Sequence, residues 1–113
     1  MKLREIYETA VRMGVDADPR GRKGVDEYLE RARRRHEKLP EYRRVLADEE
    51  DLANPFADTR IYVGDPETEV TTLLGGIDMN SGEILLADRL REKGVPVDAV
   101  YTHHPEGFGL TKL

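Results

Sequence analysis

The chain contains no cysteine and no tryptophan, and only two phenylalanines, Phe56 and Phe108. Without thiols there can be no disulfide, thiolate zinc site, iron–sulfur cluster or cysteine nucleophile, so any metal must rest on His, Asp and Glu. Apolar residues reach only 38%, against about 45–50% in ordinary globular domains. A thin core follows. No apolar run approaches the roughly 18 residues of a membrane span, and Met1-Lys2-Leu3-Arg4-Glu5 lacks the apolar stretch of a signal peptide. A cytoplasmic protein without a membrane partner is therefore expected. Neither the G-x-G-x-x-G nor the G-x-x-x-x-G-K-[ST] phosphate loop occurs, and there is no Ser-x-Gly elbow and no H-E-x-x-H.

What the chain does have is charge, at 36% of its 113 residues. Twenty-three acidic side chains outweigh eighteen basic ones, leaving a net charge of -5. Broad electrostatic binding of nucleic acid is thus not expected of the whole chain, although a local basic patch stays open. The length predicts one domain over residues 1–113, with a helical segment over 1–53 and an α/β segment over 54–113.

Leu3, Ile6, Tyr7, Ala10 and Met13 recur at helical spacing, which predicts a helix over residues 2–13 ended by Gly14. Residues 15–24 hold Pro19 and two glycines among charges and read as a loop. A second helix is expected over 25–38, with Tyr28, Leu29, Ala32 and His36 on one stripe. His36 reads as a helix-face residue. Arg33-Arg34-Arg35 invites a phosphate-binding reading, but Glu27, Glu30 and Glu37 interleave at salt-bridge spacing and favour a solvated face. Pro40 opens a short third helix. Beyond Asn54-Pro55 the pattern changes: residues 59–63 and 70–77 are β-rich around the Gly64-Asp65-Pro66 turn, predicting a hairpin. A helix over 82–93 and a strand over 97–102 complete a parallel βαβ unit. The fold class expected is α/β, a small mixed sheet with amino-terminal helices.

Chemistry concentrates in Tyr101-Thr-His103-His104-Pro105-Glu106-Gly107. Adjacent residues of a regular strand face opposite ways, so His103 and His104 would hardly chelate one ion but could each reach one member of a metal pair about 3.5–4 Å apart. Glu106 adds an oxygen donor or base. Ligands of parallel α/β sheets collect beyond the carboxyl ends of strands, where His103 and Asp78 would both lie. The bland alternative is a pair of loop histidines hydrogen-bonded to their surroundings. Asp78 either orients a histidine or caps the next helix, a role Asn80 or Ser81 could also fill. Gly75-Gly76 reads as close backbone packing.

Several segments taken in order, Lys2-Leu-Arg-Glu-Ile-Tyr7, Asp18-Pro-Arg-Gly21, Asn54-Pro-Phe-Ala-Asp-Thr-Arg-Ile61, Gly76-Ile-Asp78, Ala87-Asp-Arg-Leu-Arg-Glu-Lys-Gly94 and His103-His-Pro-Glu-Gly107, resemble the amino-terminal part of the NIF-three-like dinuclear-metal family, often described as GTP cyclohydrolase type two homologues. The resemblance implies a partial NIF-three-like fold. It also implies that His103 and His104 each bind one of two divalent ions, zinc, manganese or iron, with Asp78 and Glu106 in support. A metal-dependent hydrolase using metal-activated water on a nucleotide or small phosphorylated substrate, assembled as a ring-like hexamer, is the implied function. A non-catalytic metal-binding scaffold or regulatory protein is the alternative. Family members extend further, with a bridging aspartate and a His-x-x-x-Glu pair absent from this sequence, so the chain reads as a truncated member with an incomplete site, inactive by itself.

Overall fold

A computed structural model describes residues 1–104 of the chain. The elements run α1 (Leu3–Ala17), α2 (Gly21–Glu37), α3 (Glu41–Arg44), a 3-10 turn (Glu49–Leu52), β1 (Leu73–Gly76), α4 (Ser81–Glu92) and β2 (Ala99–Thr102). They group into two units, one holding Met1–Glu8 with the described residues from Arg60 onward, the other Thr9–Thr59. The mixture of helix and strand agrees with the expected class. The first residues hydrogen-bond to the segment around Val70, which groups Met1–Glu8 with the later part of the chain.

Helix α1 runs through both units, passes Gly14 and ends at Ala17, further than the glycine suggests. The reason is packing: a methyl group on Gly14 would lie 2.8 Å from Phe56 Cε2 and 2.9 Å from its Cζ. Gly14 thus admits an aromatic ring and does not stop the helix. The expected loop of residues 15–24 contracts to a few residues around Pro19, because Asp18 organises the turn. Its carboxylate accepts from Arg20 N (2.8 Å), Nε (2.9 Å) and Nη2 (2.7 Å). Gly21, at φ 66°, then takes a left-handed conformation that side-chain-bearing residues resist, and α2 begins there. Its buried positions are Val25 and Leu29. Arg33 Nε donates to Leu52 O at 3.0 Å, tying the 3-10 turn to α2.

Gly14→Ala sets a gain of about 1 kcal/mol in helix propensity against an overpacking cost of about 1–3 kcal/mol. Phe56 is a rigid ring, so a net loss of about 1 kcal/mol is expected in thermal unfolding followed by circular dichroism. A more stable variant would show that the ring does not occupy this notch.

The sheet unit corrects two expectations. Residues 59–63 form no strand and no hairpin, because the partners available to residues 66–70 are taken. Leu3 N donates to Thr68 O (2.9 Å), Arg4 N to Pro66 O (2.9 Å) and Val70 N to Met1 O (2.8 Å). The Gly64-Asp65-Pro66 turn does form, with Thr68 N on Asp65 O at 2.9 Å. Nor is the sheet mixed among the described residues: β1 and β2 are parallel, Leu73 opposite Ala99 and Gly76 opposite Thr102. The antiparallel element is an isolated bridge between Lys2 and Glu69.

The βαβ unit itself follows the sequence. Asn80 caps α4, accepting from Gly82 N (3.1 Å), while Glu83 accepts from Asn80 N (3.0 Å), a reciprocal capping box. That resolves the choice between Asp78, Asn80 and Ser81. Val70, Met79, Ala87 and Val97 form this unit's buried apolar set, whereas Ile84, Leu85, Val100 and Tyr101 stay exposed. Gly76 accommodates Met79, whose Cε would lie 2.8 Å from a Cβ placed there.

At the opposite end of the strands, Asp98 Oδ2 accepts from Thr71 N (2.8 Å), Thr71 Oγ1 (2.7 Å) and Thr72 N (3.0 Å). Backbone N–H donation holds the Asp98 carboxyl down at about 2, and hydrogen bonds from Arg20 do the same for Asp18. Both pKa values are depressed by folding, so both contributions are complete above the ordinary carboxylate range and lost as pH falls through the folded value. Stability is therefore expected to decline between about pH 4 and pH 2, with Asp98→Asn flattening part of that decline in acid titrations followed by circular dichroism.

Among the described residues, no helix is long and apolar enough to cross a membrane.

Candidate functional site

The carboxyl ends of β1 and β2 are clamped together by hydrogen bonds that continue past the strands. His103 N donates to Gly76 O at 3.0 Å and His104 N to Ile77 O at 2.8 Å. Thr102 Oγ1 lies 2.9 Å from both Ile77 O and His104 O, and its single proton can serve one carbonyl at a time. Backbone pairing thus brings the residue after Ile77 beside the residue after His103, although they are far apart in sequence.

Those residues are Asp78 and His104, and their side chains meet. His104 Nδ1 lies 2.7 Å from Asp78 Oδ1. An ionised carboxylate only accepts, so Nδ1 carries the proton, and in the neutral ring Nε2 keeps its lone pair. A carboxylate behind one nitrogen both orients the ring and raises the basicity of the other. The pair is open to solvent, with 58% of the His104 side chain and 68% of the Asp78 side chain exposed. Both groups therefore stand exposed beyond the carboxyl ends of the strands.

His103 is exposed as well. Strand alternation would send its ring away from that of His104, yet the centroids are 5.0 Å apart with an interplanar angle of 70°. The reason is that β2 ends at Thr102, so both histidines sit in the bend beyond the strand, where alternation no longer applies. Thr102, not singled out in the sequence, is the residue holding that bend. Its signal was present: a hydroxyl residue at a strand end commonly satisfies nearby carbonyl groups.

Glu106, with Pro105 and Gly107, lies outside the described residues. Among the described residues no group of three or more His, Asp or Glu side chains is placed to hold a metal ion. The donor set thus fits an implied metal centre only in part. It offers the Nε2 of His104 and an imidazole nitrogen of His103, while Asp78 is engaged with His104. An oriented imidazole of this kind can ligate a cation or accept a proton. No protein-family model, no curated protein and no solved structure matches this chain.

Proposed function

We propose that His103 and His104 are the imidazole share of a dinuclear metal centre of NIF-three-like type, in a chain corresponding to the amino-terminal part of that family's fold. The observation that supports this most is the Asp78–His104 contact, since a carboxylate on Nδ1 is the usual companion of a metal-ligating imidazole. In this reading His103 and His104 each contribute one ligand to one of two divalent ions, zinc, manganese or iron, and Glu106 supplies an oxygen donor. A complete centre of this type supplies a metal-activated water for hydrolysis of a nucleotide or small phosphorylated compound. This chain's own residues orient one imidazole and hold both ring edges open to solvent. With fewer than the four ligands of a stable zinc site, its metal binding is weak and its turnover absent. The reading includes a cytoplasmic location and self-assembly into a ring-like hexamer, for which size-exclusion chromatography provides the check.

Calorimetric titration of the chain with zinc and with manganese tests the proposal, alongside a hydrolysis assay over a panel of nucleoside phosphates. Weak uptake without turnover is expected. No uptake of either ion would overturn the metal assignment, and rapid metal-dependent turnover would overturn the assignment of an incomplete site.

A further inference from the structure

The chain's charge is segregated. Between residues 20 and 44 ten basic side chains face five acidic ones, while the remainder carries eighteen acidic against eight basic. Most of the cations sit on α2, and the acids of that helix pair with only some of them. Lys23 lies 4.0 Å from Glu27, and Arg34 lies 3.0 Å from Glu30. At about 100° per residue, Tyr28, Arg31, Arg35 and Lys38 fall within one arc of roughly 80°. No acidic residue of α2 shares that arc, and it lies across the helix from Arg33, whose Nε is taken by Leu52 O.

Arg31, Arg35 and Lys38 make no ion pair or side-chain hydrogen bond among the described residues. Like charges three and four residues apart on a helix repel. The helix C-terminus favours cations nearby, but that accounts for charge in the last turn and not for an acid-free row extending back to Arg31. The row borders an open concavity of about 380 Å³ lined by Tyr28, Arg31, Arg34, Arg35 and Lys38. Tyr28 is held at one end, with the Arg20 guanidinium 5.1 Å from its ring centroid and Arg20 itself fixed by Asp18.

We propose that this face of α2 binds single-stranded nucleic acid, with successive phosphates along Arg31, Arg35 and Lys38 and a base against Tyr28. At a rise of about 1.5 Å per residue, these cations are spread over roughly 10 Å, a span suited to a chain of phosphates and not to one isolated phosphate. A base can reach an aromatic side chain only when it is unpaired, which favours a single strand over a duplex. An anionic lipid surface would attract the same cations but would give Tyr28 no base to stack on.

Fluorescence anisotropy with a labelled oligouridylate of about ten nucleotides tests this, with helical content of each variant followed by circular dichroism. Three phosphate contacts predict that log K falls with log salt at a slope of about −2. Arg31→Glu combined with Arg35→Glu, both at exposed positions, should weaken binding at least about tenfold. Tyr28→Leu should weaken oligouridylate binding about fivefold or more while leaving binding of inorganic polyphosphate, which has no bases, unchanged. Equal binding of duplex DNA, equal loss of polyphosphate in Tyr28→Leu, preference for phosphatidylserine vesicles, or indifference to the double charge reversal in a folded variant would each overturn the proposal.

Discussion

Leu29→Ala is expected to destabilise the helical unit by about 2–5 kcal/mol, the usual cost of cutting a buried leucine back to a methyl group. Leu29 is 8% exposed, beside Val25 at 2%, and these two are the buried apolar positions of α2. The described residues include no side chain below 2% exposure, so there is little surrounding core to relax into the space. A domain with a total of about 5–15 kcal/mol and so lean a core loses much of its margin. Thermal and urea unfolding followed by circular dichroism should show a lower midpoint for Leu29→Ala and almost none for Leu46→Ala, since Leu46 is 83% exposed. Equal effects at the two positions would mean that α2 is not packed through Leu29.

The second large effect belongs to the proposed metal site. Replacing His104 by Ala removes a ligand and should abolish measurable zinc uptake. Asp78→Asn keeps an acceptor near His104 Nδ1 but removes its charge, and a weaker neutral hydrogen bond leaves the ring less firmly oriented. A loss of metal affinity of about 10–100-fold is expected. Asp78 is exposed, so unfolding should be nearly unchanged, and a structural role is separated from a positioning role by nitrogen NMR of the imidazole. Wild-type protein should carry the neutral-ring proton on Nδ1, and the variant a mixture of tautomers. A variant with wild-type affinity and tautomer would remove Asp78 from the site.

Parts of this fold were legible in the residues because their causes are local. The βαβ pattern over residues 73–102 is one, since helical and strand periodicities alternate there and Asn80 with Glu83 closes the helix start within a single turn. The position of His103 and His104 at the carboxyl end of β2 is another, because both follow its last residue. The misread features have distant causes. Gly14 resembles a helix stop until Phe56 fills the notch beside it, and residues 59–63 resemble a strand until Met1 to Arg4 take the partners a hairpin would need.

The charge pattern of α2 shows the same division. Composition and spacing placed arginines and glutamates together on one helix, and sequence spacing alone suggested mutual neutralisation. Side-chain geometry pairs Glu27 with Lys23 and Glu30 with Arg34, leaving Arg31 and Arg35 without an acidic partner among the described residues, because the glutamates at pairing distance are engaged by other cations.

By itself the sequence determined which chemistry is available: two adjacent imidazoles, nearby carboxylates, no thiol, and strand and helix segments of the right period to carry them. The tertiary structure alone decided which of those groups meet. Parallel pairing of β1 with β2 brings Asp78 to 2.7 Å from His104 Nδ1, a contact between residues just beyond the ends of separate strands that depends on register, and register is a property of the folded sheet and not of either segment alone.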